Sequence, residues 1–359
     1  MSDAPLRIGL LGSGWISRTY MAALRGVEEG EVVAVWSRRR AHAERFAREH
    51  GLAVWSDDVA EVLAAVDVVC VNSPNALHAQ HALAAARAGK HVIVEKPLAV
   101  SLEEGRAMVE ACADAGVGLA YAEELAFVPK FVRAREVLAS GAVGTPLYVT
   151  QREAHAGPYS PWFFTREEAG GGVLMDMACH SIELVRWLLG KPRVTKVTAR
   201  LHNTASAHET ELEDHSVTWL EFENGVSATC EASWVLRGGM QSKLEVWGSE
   251  GVLEVDLLQG TGLRLHSERG RPDLMAGPGW APILTEWHVE NGYPQELRHF
   301  LRCFREGREP EETGADGLAV LEILCAAYAS AGEGRTVDLP FQPRGVERAV
   351  DLWLDPRHR

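Results

Sequence analysis

Two glycines one residue apart, Gly12 and Gly14, stand between an apolar run over 6–11 and a helix-length stretch that opens at Trp15. A strand that turns through glycine directly into a helix leaves the first helical N–H groups free to face an anion. Gly12-Ser13-Gly14-Trp15-Ile16-Ser17 therefore reads as a dinucleotide-binding turn with serine in the third place. The first glycine permits the tight turn, and the second lets the backbone approach a pyrophosphate. A bare glycine-rich turn is the competing reading, and the strand before and helix after it argue against that.

The alternation continues. Strands are predicted over 31–37, 66–72, 91–95 and 118–122, with helices over 41–50, closed by Gly51, and 76–88, closed by Gly89. A further helix starts at a capping box, Ser101 with Glu104, and ends at Gly116. Strands and helices at this spacing predict an α/β domain with a parallel, doubly wound sheet. The end of the second strand reads Ser37-Arg38-Arg39-Arg40. An acid there would bond the ribose hydroxyl of NAD, whereas arginine suits the phosphate of NADP, so NADP is favoured over NAD.

The strand over 91–95 ends in Glu95-Lys96-Pro97. Ligands of open α/β sheets bind beyond the carboxyl ends of the strands. Pro97 holds Lys96 out of helical geometry and permits a fixed, even cis, peptide. A lysine presented over a bound cofactor and a plain surface lysine are both open on these residues alone.

Beyond 125 an amphipathic helix over 127–140 and a strand over 147–154 lead to a loop of polar and aromatic residues over 155–168, including His155, Tyr159, Trp162, Phe163 and Arg166. Aromatic faces beside polar heads suit a hydroxylated ring, and a loop covering the core is the alternative. Gly170-Gly171-Gly172 is expected to give a flexible entry to a helix ending at Gly190, on which Asp176 and His180 lie four apart and share a face. A carboxylate near a histidine favours its protonated form and can fix its tautomer. From 194 onward strands dominate: Val226, Ala228, Cys230, Ala232 and Trp234 alternate with polar residues after the turn signal Asn224-Gly225, and a second hairpin spans 243–257. One face of that sheet needs helices and the other solvent or a second subunit; Trp219, Trp234 and Trp247 suggest the latter. Late helices over 294–305 and 316–331 and a short strand over 336–339 follow.

These motifs, with Ser73-Pro74-Asn75-Ala76-Leu77-His78 and the run from Gly170 to His180, resemble the Gfo/Idh/MocA family, the relatives of glucose–fructose oxidoreductase and inositol dehydrogenase. The resemblance spans residues 6 to about 190 in its motifs, and the order of elements fits to about 340. It implies an N-terminal Rossmann domain over 1–124, a C-terminal α+β domain over 125–341 with a large, mostly antiparallel open sheet, and a peripheral tail over 342–359. It implies NAD(P) and a sugar, polyol or related cyclic alcohol. By position Lys96, Asp176 and His180 would be catalytic. Gly12, Gly14, Asn75, His78 and Glu95 would line or support the cofactor site, with Trp15, Ile16, Ser37, Arg38, Ser73, Pro74 and Lys96 beside them. Glu123, His155 and Trp162 are candidate substrate contacts. Two departures stand out: Ser17 replaces a small glycine or alanine, and Ala122-Glu123-Glu124-Leu125 replaces a Glu-Asn pattern.

Hydride removal from a secondary alcohol also needs a base for the hydroxyl proton, and an imidazole ordinarily titrates near working pH. His180 is therefore the favoured base, with Lys96 polarising the same oxygen. A metal is not expected: Glu153, His155, Asp176, Cys179 and His180 fit no compact ligand spacing. Reduction of C=N or C=C bonds, dihydrodiol oxidation, and a non-catalytic cofactor-binding sensor are the competing functions.

Composition sets outer bounds. With 36 Lys and Arg against 50 Asp and Glu the net charge is −14, which argues against nucleic acid or an anionic membrane as partner. The 359 residues leave room for about two domains. The six cysteines show no paired spacing, which suits a reducing compartment. The first strand begins too soon for a signal peptide and no run of about 18 apolar residues occurs, so a cytoplasmic location is expected, and the tryptophans of the second sheet lead to the expectation of a homodimer or homotetramer.

Overall fold

The computed structural model describes residues 4–158, 160–204, 210–259, 262–283 and 291–358. The N-terminal part holds strands β1 (Leu6–Leu11), β2 (Gly30–Trp36), β3 (Val54–Ser56), β4 (Val68–Val71), β5 (His91–Glu95) and β6 (Leu119–Ala122). Helices α1 (Trp15–Ala23), α2 (Arg40–His50), α3 (Val59–Ala65), α4 (His78–Arg87) and α5 (Leu102–Asp114) connect them. All five strand pairs are parallel and the order is β3-β2-β1-β4-β5-β6, the Rossmann arrangement with its reversal between β1 and β4. β4 and β6 are buried along their whole length, as strands covered on both faces must be.

Local chemistry sets the helix ends. Gly51, Gly89 and Gly116 follow α2, α4 and α5 with φ of 73°, 68° and 65°, the left-handed geometry that closes a helix. Ser101 Oγ accepts from the Glu104 N–H at 3.3 Å. Three-residue β3 and seven-residue α3, which the sequence pattern did not predict, sit between β2 and β4; Asp58 caps α3 by accepting from the Ala60 N–H.

The chain continues through α6 (Pro129–Ala139), with Pro129 in its first turn, β7 (Pro146–Ala154), α7 (Arg166–Ala169) and α8 (Cys179–Leu188). Then come β8 (Val194–His202), β9 (His215–Phe222), β10 (Ser227–Ser233), β11 (Gln241–Gly248), β12 (Gly251–Asp256), β13 (Leu263–Ser267) and β14 (Gly279–Pro282). Helices α9 (Tyr293–Glu306) and α10 (Gly314–Glu333) precede β15 (Val337–Asp338). The nine-stranded sheet has the order β14-β13-β12-β11-β7-β10-β9-β8-β15, antiparallel except for the β7–β10 pair. Asn224-Gly225 makes the β9–β10 hairpin, Asn224 Oδ1 accepting from the Val226 N–H and Gly225 adopting φ 85°.

One face of this sheet carries Val149, Gln151, Thr218, Leu220, Ala228, Cys230 and Leu244, all buried, and α8 lies on β7 and β10 with all ten of its residues buried. The other face carries Tyr148, stacked on Trp219 and set edge-on to Trp247. Trp219 and Trp247 are 39% and 46% exposed, but Trp234, expected on the same surface, is 5% exposed. It continues the inward set Ala228, Cys230, Ala232, so strand parity sends it to the covered side.

The chain divides into two compact units, one of Met1–Glu124 with Gly292–Leu321 and one of Leu125–Asn291 with Glu322–Arg359. Two expectations change. Gly292–Leu321 packs with the first unit, where Gly105 lies against Leu318 and Leu321 and the Tyr121 N–H donates to the Glu312 carbonyl. The last residues are no peripheral tail: Ala349, Val350 and Leu352 are buried, and Asp351 pairs with Arg166 at 2.7 Å. The α10 helix is long and apolar enough to cross a membrane by length and composition, but Val320 to Ser330 is mostly buried in the protein core.

Candidate active site

In the first unit β1 and β4 end side by side and their turns interlock. The Gly12 N–H donates to the Trp36 carbonyl, and the Asn72 N–H to the Leu11 carbonyl. Gly12 has φ 147°, and a Cβ there would lie 2.4 Å from the Asn72 carbonyl oxygen, so only glycine fits. A Cβ on Gly14 would meet nothing within 4 Å. Gly14 caps α1 with no side-chain hydrogen bond, and no acid occupies the first turn. Open space beside the N-terminus of a helix is what a pyrophosphate requires, so these residues fit a dinucleotide.

Ser17 is not a neutral replacement. Its hydroxyl donates to the Gly12 carbonyl at 2.8 Å and accepts from Asn72 Nδ2 at 3.3 Å, stitching α1 to both strand ends. Ser13 Oγ reaches Ser37 Oγ at 3.1 Å, which ties the glycine turn to the end of β2. Of the arginines that follow, Arg40 pairs with Asp57 and lies over the Trp55 ring, while Arg38 stands exposed directly after Ser37. Trp15 is exposed and Ile16 half-buried at the mouth of α1.

The Ser73-Pro74-Asn75 segment leads through a short helical turn over Asn75–Leu77 into α4. Ser73 Oγ meets His81 Nδ1 at 3.0 Å. The His78 ring spans from the Ser73 carbonyl, at 3.0 Å from Nε2, to the Pro97 carbonyl, at 2.9 Å from Nδ1. His78 thus joins the end of β4 to the turn after β5 and holds the segment that presents Lys96. The Lys96-Pro97 peptide is cis and Lys96 is half-buried.

Behind Lys96 the unit collects acids. Burial pushes the Glu95 carboxyl up to about 7 against the pull of the adjacent Lys96 ammonium. Glu123 and Glu296 are fully buried. Burial first, then Glu124, Glu95, Glu123 and Glu312, raise Glu296 well above the usual carboxylate range. Glu296 was missed because it lies on α9, some 200 residues from β5 in the chain, and no local pattern links them.

In the second unit the segment after the glycine run opens with one π-helical turn, Leu174–Ala178, before α8, a deformation found often at functional sites. Asp176 sits in that turn and His180 at the second residue of α8; both side chains are buried. Trp234 Nε1 donates to Asp176 Oδ2 at 2.9 Å, a partner the sequence reading placed elsewhere. The register pairing Ala154 with Ser233 carries His155 alongside Trp234, and Phe164 packs edge-on against the same indole. Asp176, Trp234 and His155 thus share one region. Trp162 stacks on Phe163 in the same loop, while Arg166 is engaged by Asp351. Tyr159 lies outside the described residues. Glu153 is buried and bonded by Gln151 and Ser242.

A dinucleotide-binding first unit and a sheet-backed second unit carrying a carboxylate and an imidazole on one helix define the class of nicotinamide-dependent oxidoreductases. Residues 6–123 match the family model described as "Oxidoreductase family, NAD-binding Rossmann fold", and residues 131–254 match the GFO/IDH/MocA C-terminal domain. The chain belongs to the Gfo/Idh/MocA family. It is 30% identical to scyllo-inositol 2-dehydrogenase (NAD(+)) of Bacillus subtilis (strain 168), covering 93% of this chain and 96% of that protein. It is also 30% identical to D-apiose dehydrogenase of Paraburkholderia graminis, covering 92% and 88%. Among solved structures it is similar to GenD2 from gentamicin A biosynthesis in complex with NAD, at 33% identity and a TM-score of 0.83, covering 94% of this chain and 97% of that one.

Proposed function

We propose that this protein interconverts a secondary alcohol and a ketone on a sugar, polyol or related cyclic substrate, with Lys96, Asp176 and His180 as its catalytic group. The nicotinamide nucleotide, when bound, takes up or gives back the hydride. What this chain supplies is the proton chemistry. The imidazole of His180 accepts the hydroxyl proton as the alcohol is oxidised and returns it in reduction. The Lys96 amine donates a hydrogen bond to the reacting oxygen and stabilises its developing negative charge. Asp176, held by the Trp234 indole, orients the imidazole and stabilises the imidazolium. The observation that carries this reading is the buried Asp176–Trp234 bond four residues before the buried His180, since a module that only senses a cofactor has no use for an oriented acid–base pair. Glu123, His155 and Trp162 contribute to substrate binding.

The cofactor preference is assigned to NADP, because β2 ends without an acid and Arg38 is exposed after Ser37. Both proposals meet one assay: nicotinamide absorbance followed over a panel of inositols, aldoses, glycosides and imines with each nucleotide. Turnover of a ring alcohol, faster at low NADP than at low NAD, is expected, and Arg38→Ala should narrow the difference. Turnover of imines alone would overturn the substrate reading, and tighter binding of NADH than NADPH would overturn the cofactor assignment.

The open face of the nine-stranded sheet, with Tyr148, Trp219 and Trp247, is assigned to self-association. Light scattering is expected to give a dimer or tetramer that Trp219→Glu with Trp247→Glu dissociates; a wild-type mass of one chain would refute it. All six cysteines are free and buried, in keeping with a cytoplasmic location.

A further inference from the structure

The glycine run before the π-turn is packed, not loose. A Cβ on Gly172 would lie 2.1 Å from the Glu213 carbonyl oxygen, and one on Gly171 would lie 2.0 Å from the Tyr328 hydroxyl. This close approach brings three successive N–H groups onto one residue. Gly172 and Leu174 each donate to Glu213 Oε1 at 3.0 Å, and Val173 donates to the Glu213 carbonyl at 2.9 Å. Tyr328 Oη donates to the same Oε1 at 2.6 Å. A helix start leaves such N–H groups without partners, and a serine or aspartate usually serves one of them. Here a fully buried glutamate from a remote segment serves three.

The neighbouring residue extends the grip. The Asp214 carbonyl accepts from the Trp234 N–H at 2.8 Å, and the Trp234 indole holds Asp176. The dipeptide Glu213-Asp214 therefore holds both the backbone from which Asp176 projects and the backbone that carries the indole bonded to its carboxylate. A serine cap would satisfy helix chemistry without burying a carboxyl group. Burial pushes the Glu213 carboxyl up to about 7, while the Tyr328 hydroxyl and the backbone N–H groups bonded to it pull the other way.

We propose that Glu213, with Tyr328, is a positioning residue for the reaction: it fixes the π-turn that sets Asp176 and His180 at the angle needed for proton transfer. The role rests on the reading of Asp176 and His180 as the proton-handling pair. Misplacing a catalytic group by about 1 Å costs roughly 10²-fold in rate, so Glu213→Ala is expected to lower kcat by about 30- to 100-fold. The dissociation constant of the nucleotide should be unchanged, since its glycine turn belongs to the other unit. Glu213→Gln keeps an acceptor oxygen for the N–H groups and the phenol, and should restore kcat to within about threefold of wild type.

The experiment measures kcat, substrate KM, nucleotide binding and the melting temperature for Glu213→Ala, Glu213→Gln, Tyr328→Phe and His180→Ala. A purely structural role predicts a lower melting temperature with kcat unchanged in the folded enzyme, and that result overturns the proposal. So does a Gln variant as impaired as the Ala variant. If Glu213→Ala does not fold, Tyr328→Phe decides: a kcat lowered about fivefold supports the role, since one of four bonds to Glu213 is lost, and an unchanged kcat overturns it. Near-normal turnover of His180→Ala would instead remove the reading beneath it.

Discussion

His180→Ala is expected to lower kcat by about three orders of magnitude, and Lys96→Ala by about two to three, with nucleotide affinity within about twofold of wild type in both. The two losses have different origins. On the proposed assignment the hydroxyl proton must pass to water once the imidazole is gone, and general-base catalysis of about 10²–10⁴-fold is lost. Without the lysine the developing oxyanion loses its charged donor while the base survives. The imidazole lies on α8 and the amine at the end of β5, and neither is part of the glycine turn, so the nucleotide should still bind. Stopped-flow turnover with parallel fluorescence titration of the reduced nucleotide separates the effects. Either variant turning over at more than about a tenth of the wild-type rate would remove that residue from the chemistry.

The two glycines of the nucleotide turn should respond in opposite ways to the same added methyl group. At Gly12 a Cβ meets the Asn72 carbonyl at 2.4 Å and the backbone is at φ 147°, where L side chains are rare. Gly12→Ala must push apart the ends of β1 and β4 and is expected to cost about 3 kcal/mol of stability as well as nucleotide binding. At Gly14 the methyl enters empty space with ordinary backbone angles, φ −83° and ψ −162°. Gly14→Ala should melt like wild type yet bind nucleotide at least about tenfold more weakly, because the methyl occupies the place of the phosphate. Thermal melts and titrations of the two variants make the comparison. A Gly14→Ala protein with full affinity would show that the pyrophosphate does not approach that turn.

How far the sequence can be read depends on whether the determining chemistry is local. Much of the first sheet is legible because α2, α4 and α5 are punctuated nearby, by Ser101 at one end or by Gly51, Gly89 and Gly116 at the other. Three-residue β3 escapes because it is too short for a period to register. Trp234 shares its strand parity with the buried Ala232 and Cys230, and that parity outweighs the bulk of an aromatic side chain as a guide to which face it takes. The return of α9 to the first unit leaves no local trace, since what settles it is packing such as Tyr293 against Tyr20, 273 residues apart. Glu213 is hidden for the same reason. The run Gly170-Gly171-Gly172 announces a special backbone, but whether glycine serves freedom or close approach is decided by what lies opposite, here Glu213 and Tyr328.

The nine-stranded sheet has one further consequence, in how it stops. Its outermost strands are β14, four residues ending in Pro282, and β15, only two residues long. Rows of unsatisfied main-chain groups invite another chain to add a strand, and short borders with proline blunt that invitation. If the broad aromatic face pairs with a second copy as proposed, the blunted rim keeps that association from growing by added strands, and a closed symmetric pairing ends it.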